Sequence, residues 1–150
     1  MFRYRWILVL ILALVGGALS GCGEDGDYIE VVGGGFLYNY RIAEATCEIV
    51  AKPLRAAPEE ASLEARFQNP DGGEELVVRK KVFPAERRYA VVSPPLAGIK
   101  AGHEYKVSLL LLDADGKTLE THEKNFKAKI DRSALPEKPL TIGPGYVKNP

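Results

Sequence analysis

Residues 62–68 (SLEARFQ) alternate apolar and polar without a fault, and five turn-forming residues, Asn69-Pro70-Asp71-Gly72-Gly73, follow at once. Leu63, Ala65 and Phe67 share one face of an extended chain and Glu64, Arg66 and Gln68 the other, because successive strand side chains point to opposite sides. A helix would scatter both sets around its circumference. Asn, Pro, Asp and Gly supply the local hydrogen bonds and positive φ angles of a tight reversal. The returning segment, 75–83, puts Leu76, Val78, Lys80 and Val82 on one face and stops at Pro84. This hairpin has one apolar face, and the rest of the chain has to cover it.

The same pattern recurs along the sequence. Residues 28–32 (YIEVV) read as a strand, with Gly33-Gly34-Gly35 as a break or tight bend after it. Phe36, Tyr38, Tyr40 and Ile42 then alternate against Leu37, Asn39 and Arg41, and 46–54 continues with β-branched residues until Pro53. Residues 41–50 also fit a helix carrying Ile42, Ala45 and Ile49 on one face, although strand is the preferred reading. Residues 56–61 form a loop or one helical turn, and 88–93 another strand closed by Pro94-Pro95. Residues 103–113 (HEYKVSLLLLD) become apolar on both faces from Leu109, the mark of a strand covered on two sides. Asp113-Ala114-Asp115-Gly116-Lys117 turns it back into 118–130.

Six to eight short strands without a long helix predict one all-β domain over residues 28–131, an antiparallel β-sandwich. Its Pro- and Gly-rich C-terminal tail, 132–150, also holds Leu135, Leu140, Ile142, Tyr146 and Val147. That is too apolar for a free linker, so the tail is expected to lie extended against the domain. The stretch 96–107 resembles the approach to the sixth strand of fibronectin type III and related immunoglobulin-like domains. Ile99 stands six places before Tyr105, Gly102 three before it, and Val107 two after it. The resemblance implies a tyrosine corner, in which the Tyr105 hydroxyl returns to an upstream backbone group and pins the crossover between sheets. Ala101 stands where the family has Pro, and the family's early-strand Trp has no counterpart, since Trp6 lies at the N-terminus. Such a likeness speaks for architecture and not for activity.

Ahead of the domain, Arg3 and Arg5 precede an apolar run, 6–15 (WILVLILALV), and the small residues Gly16-Gly17-Ala18. Charged start, short apolar core and small-residue exit are the anatomy of a secretory signal. The run is too short for a permanent span, which needs roughly 20 residues. Leu19-Ser20-Gly21-Cys22 then resembles the lipobox of bacterial lipoproteins at all four positions. The resemblance implies cleavage between Gly21 and Cys22, diacylglycerol on the Cys22 sulfur, and often a third acyl chain on the new amine. An uncleaved anchor with an incidental Cys22 is the alternative, and the shortness of the run speaks against it. Two or more chains hold a protein stably, at about 0.8 kcal/mol per buried CH₂. On this reading 1–21 is a signal peptide and 22–27 a flexible tether, of which residues 23–27 reach roughly 17 Å. The membrane, reached through the N-terminal lipid, is then one partner. Gly23 rather than Asp follows Cys22, which in a two-membrane organism favours the periplasmic face of the outer membrane.

Charge and composition exclude several functions. The chain has 20 basic and 20 acidic residues, and loss of Arg3 and Arg5 leaves a slight acidic excess. Nucleic acid is therefore not an expected partner, because phosphate binding needs a basic surface. Cys47, alone once Cys22 is acylated, is expected to be a buried apolar side chain, the alternative being an intermolecular disulfide or a reactive thiol. Asp113 and Asp115 suggest a calcium loop, but Thr118 and Lys124 stand where an EF-hand needs Gly and Glu. His103 and His122 lack zinc spacing, so no metal or other cofactor is expected. No nucleophile elbow surrounds Ser93, and Glu59-Glu60 and Glu74-Glu75 are loop-borne neighbours, so no catalytic residue is assigned. Arg79-Lys80-Lys81 and Arg87-Arg88 read first as an exposed polar sheet face, with contact to anionic headgroups or an acidic partner as the alternative. The expectation is a lipid-anchored, non-catalytic cell-envelope protein that binds another envelope protein through a sheet edge, a loop end or its tail. The alternative is a ligand-binding or enzymatic lipoprotein with a pocket between the Phe36–Tyr40 aromatics and Tyr146.

Overall fold

The computed structural model describes residues 26–150. The expected signal peptide, Gly21, Cys22 and most of the tether lie outside the described residues. The rest is all-β: β1 (Ile29–Asn39), β2 (Glu44–Pro53), β3 (Ser62–Phe67), β4 (Leu76–Lys81), β5 (Tyr89–Val92), β6 (Glu104–Leu112) and β7 (Thr118–Lys127), followed by the short pair β8 (Thr141–Ile142) and β9 (Val147–Lys148). Among the described residues the helical element is a single 3-10 turn, Arg132–Ala134. Residues 41–50 therefore take no helical form.

The first seven strands make two antiparallel sheets, ordered β1-β2-β5 and β4-β3-β6-β7. Their inner faces share one core. Ala45, Cys47, Ile49 and Ala51 of β2, with Tyr89 and Val91 of β5, meet Leu63, Ala65 and Phe67 of β3 and Val107, Leu109 and Leu111 of β6. The period-2 alternation read in β3 and β4 is what delivers these side chains to one side. Each fully buried Leu, Ile or Phe contributes roughly 1.5–3 kcal/mol relative to exposure. β6, central in the larger sheet, also buries Leu110 and Leu112 on its outer face. The arrangement is that of a β-sandwich.

Two expectations need correction. Gly33-Gly34-Gly35 does not break the strand; β1 runs through it, paired with β2 from Ile29↔Pro53 to Asn39↔Glu44. The irregularity is a bulge between Val31 and Gly33, which leaves Val32 without a partner. Gly34 has φ +148°, and a Cβ there would overlap the Glu48 carbonyl oxygen and lie 2.5 Å from Phe126 Cζ. The glycine admits a ring from the opposite sheet, a reason invisible in local sequence. The tail is also not extended throughout. Leu135 enters the core, and the chain then folds back on itself as the β8–β9 hairpin, pairing Thr141↔Lys148 and Ile142↔Val147.

The registers define two poles. The start of β1, the 54–61 and 82–88 connections and the 113–117 turn gather at one. The β1–β2 turn, the 68–75 loop and the 93–103 crossover gather at the other, where the tail hairpin is fastened. The chain thus enters the sandwich at one end and leaves it at the opposite one.

Candidate functional site

The far pole carries an apolar cluster with no core role. Arg41, in the β1–β2 turn, offers its carbonyl to the backbone N–H groups of Leu140 (2.8 Å) and Thr141 (3.1 Å). Asn149 N–H returns to the Leu140 carbonyl at 2.8 Å, closing the hairpin. So held, Leu140, Ile142, Tyr146 and Val147 point to solvent, Tyr146 at 56% and Val147 at 65% exposure. Tyr40 in the adjoining turn is exposed as well. Tyr146 adopts φ +50°, a left-handed conformation that costs a side-chain-bearing residue about 1–2 kcal/mol. Its ring lies 5.7 Å from the Arg41 guanidinium, a cation–π distance. The turn holds a large aromatic outward at a position where glycine would be less strained.

The base beneath this hairpin is fixed by the residues singled out around Tyr105. The Tyr105 hydroxyl accepts the Lys100 backbone N–H at 2.9 Å, five residues upstream. Ile99 is buried, and Gly102 takes φ +80° while donating to the Ala128 carbonyl at 2.8 Å. The structure thus brings Ile99, Gly102 and Tyr105 together. The Phe36 ring meets Tyr105 edge-on at 5.4 Å between centroids. Asp131 and Arg132 continue the tie: Asp131 Oδ1 accepts the Ala101 N–H at 3.0 Å, and Arg132 Nη2 donates to the Ala43 carbonyl at 2.7 Å. The crossover, the end of β7 and the β1–β2 turn form one hydrogen-bonded collar from which the tail leaves.

On the outer face of the larger sheet, Glu64 is 2% exposed. It accepts Arg66 Nε at 2.7 Å and Arg79 Nε at 2.5 Å. Burial pushes its carboxyl upward, but the hydrogen bonds from Arg66 and Arg79 outweigh that and hold it below its ordinary value. Lys80 meets Glu86 at 3.1 Å and Lys81 meets Glu60 at 2.6 Å. Each member of the basic triplet 79–81 therefore has a carboxylate partner, which favours the plain structural account of that run. Arg87 and Arg88 are exposed.

The remaining candidates have structural work. Cys47 is buried and its thiol is pushed up to about 12, first by burial and then by nearby Glu48. Ser93 Oγ accepts the Cys47 N–H at 2.9 Å and donates to the Pro94 carbonyl at 2.8 Å, so it caps a strand end. Asp113 Oδ1 accepts the N–H groups of Asp115 and Lys117, each at 2.9 Å, which explains the acidic turn without a metal. Among the described residues no group of three His, Cys, Asp or Glu side chains is placed to hold a metal ion. His103 is exposed. His122 Nε2 contacts Glu120 Oε1, and Glu120 Oε2 also accepts the Tyr28 N–H at 2.8 Å. Sequence reading missed this clasp of β7 on the start of β1, as it missed the Glu64 network; both need strand registers to find.

The aromatics of 36–40 line several open grooves, with Tyr38 shared between two of them. Phe36 and Tyr38 line one of about 550 Å³ with Phe126, Lys127 and Lys129. Tyr40 lines another with Leu37, Arg41 and Thr46. Tyr146 lines none of them.

No family model matches the chain, and no curated protein matches it. Among the described residues, no helix is long and apolar enough to cross a membrane.

Proposed function

We propose that this chain is a lipid-anchored cell-envelope protein, held through Cys22, whose body works as a non-catalytic interaction module. The body is read as an immunoglobulin-like, specifically fibronectin type III-like, sandwich. The strand order β1-β2-β5 against β4-β3-β6-β7 and the Tyr105–Lys100 hydrogen bond support that reading. The anchor rests on Leu19-Ser20-Gly21-Cys22 behind a short apolar run.

One observation carries the interaction role. β1 begins at one pole, and Leu140, Ile142, Tyr146 and Val147 are displayed at the other. Apolar side chains gathered on a fastened hairpin mark a protein–protein contact more often than incidental exposure. Aromatic residues are over-represented at the centre of such contacts. The partner is an envelope protein with a complementary apolar groove.

A photoreactive side chain at position 146 of the full-length protein, irradiated in native membranes, tests this. The expected result is one discrete adduct with an envelope protein, lost when Val147→Asp is added. Adducts that are absent, or unaffected by Val147→Asp, refute the hairpin's role.

A further inference from the structure

We infer that the N-terminal pole rests on an anionic bilayer surface, with Leu54 and Phe83 at headgroup depth and Arg87 and Arg88 against lipid phosphates. The inference depends on acylation of Cys22 and goes beyond it by assigning an orientation and a contact face. A tether alone leaves the domain free to tumble.

The Tyr28 carbonyl accepts the N–H groups of Leu54 (2.8 Å) and Arg55 (3.4 Å), and the Arg55 guanidinium lies 3.5 Å from the Tyr28 ring centroid. The residue that closes the tether is therefore stitched into the 54–61 connection. Residues 23–27 span at most roughly 17 Å, so this connection cannot lie far from lipids bonded to Cys22.

The 54–61 connection also exposes apolar surface. It forms, with residues 82–84, an open groove of about 660 Å³ whose apolar walls include Pro53, Leu54, Pro58, Phe83 and Pro84. Leu54 is 52% and Phe83 51% exposed, the largest apolar side chains of the groove turned outward. Phe and Leu side chains turned outward beside polar residues can bury at the headgroup–acyl boundary.

Charged side chains flank this groove. Lys81 holds Glu60, which neutralises one acid on the Pro58 side, where Glu59 is also exposed. Arg87 and Arg88 are exposed at the end of the 82–88 connection, four and five residues beyond Phe83; Arg88 also borders Glu48 and Val50 on the smaller sheet, and Asp115 of the 113–117 turn is an exposed acid at the same pole. The Arg87–Arg88 end of the connection meets the phosphates, and basic residues near an anionic surface are drawn to it over about a Debye length.

The test uses full-length, membrane-purified protein in vesicles of phosphatidylethanolamine with phosphatidylglycerol. Nitroxide labels are placed at Ala85→Cys or Asn149→Cys, while Cys47 stays buried and unlabelled. Mass spectrometry of the same preparation reads the acyl adduct on Cys22. The expected result is an acylated protein whose label at 85 is shielded from a water-borne relaxing agent several-fold more than the label at 149. Adding Arg87→Glu and Arg88→Glu, both at exposed positions, should abolish that difference while far-ultraviolet circular dichroism is unchanged. Equal accessibility of the two labels in acylated protein overturns the contact face and leaves the anchor standing. Absence of any adduct overturns both.

Discussion

Glu64 and Arg79 sit directly opposite each other on β3 and β4, and their side chains meet at 2.5 Å on a face from which the carboxylate is almost wholly hidden from water. Arg79 and Arg66 themselves remain substantially exposed. The pair is therefore a buried acceptor served by two wet donors, which avoids desolvating all three charges.

Glu64→Gln should destabilise the domain by about 2 kcal/mol at neutral pH, the scale of hydrogen bonds to a charged group. Because the folded carboxyl is held below its unfolded value, its stabilisation is complete above the unfolded pKa of about 4.3. It fades as pH falls through the folded value. Urea melts at several acidic pH values should show a shallower acid limb in the variant.

Cys47 has the opposite linkage. Burial, and then nearby Glu48, push its thiol up to about 12 from the ordinary 9.0. The contribution is intact below about 9, and stability falls as pH rises from there towards 12, because only the unfolded chain has released the proton. Cys47→Ala should remove part of that alkaline slope in equilibrium melts. Iodoacetamide should leave Cys47 of the folded protein unmodified until denaturant is added.

Tyr105→Phe removes the acceptor for the Lys100 N–H and should cost on the order of 1 kcal/mol. The denaturation midpoint measures it. No change would mean that the crossover is held by Gly102, Asp131 and Arg132 without help from the hydroxyl.

Gly34→Ala has no room. The added methyl would strike the Glu48 carbonyl and the Phe126 ring at an unfavourable φ, so a loss well above about 1 kcal/mol is expected. Gly35→Ala, with φ +147° but open space around it, should cost less. Thermal melts of the two variants separate backbone strain from overlap.

Cys22→Ala should leave full-length precursor with its leader attached, since the thiol is the group that acylation and cleavage require. Intact-mass measurement of membrane fractions checks it. A correctly trimmed, unacylated product would refute the lipobox reading.

How far the sequence could be read depended on the range of each interaction. The β3–β4 hairpin was legible because alternation and the Asn69–Gly73 turn act within a few residues. The doubly covered β6 was legible because Leu109 to Leu112 are apolar on both faces. The Gly33–Gly35 run misleads for the converse reason: its central Gly34 is required by a ring arriving from 126, across the sandwich. The tail's apolar residues were visible, but Gly143, Pro144 and the left-handed Tyr146 make a reversal that composition does not distinguish from an extended path. At the candidate site, Tyr105, Ile99 and Gly102 could be picked out by spacing. The display of Tyr146 over Arg41 could not, because it depends on where two distant segments are fastened.

The opposition of the two chain ends also acts as a ruler. β1 is 11 residues long, roughly 36 Å at about 3.3 Å per residue, and it runs from the entry pole almost to the turn that grips the hairpin. Tyr146 therefore stands about one strand's length from the start of β1, a separation set by hydrogen-bonded backbone. On the proposed reading, a partner that binds the hairpin does so at that distance from the point where β1 begins.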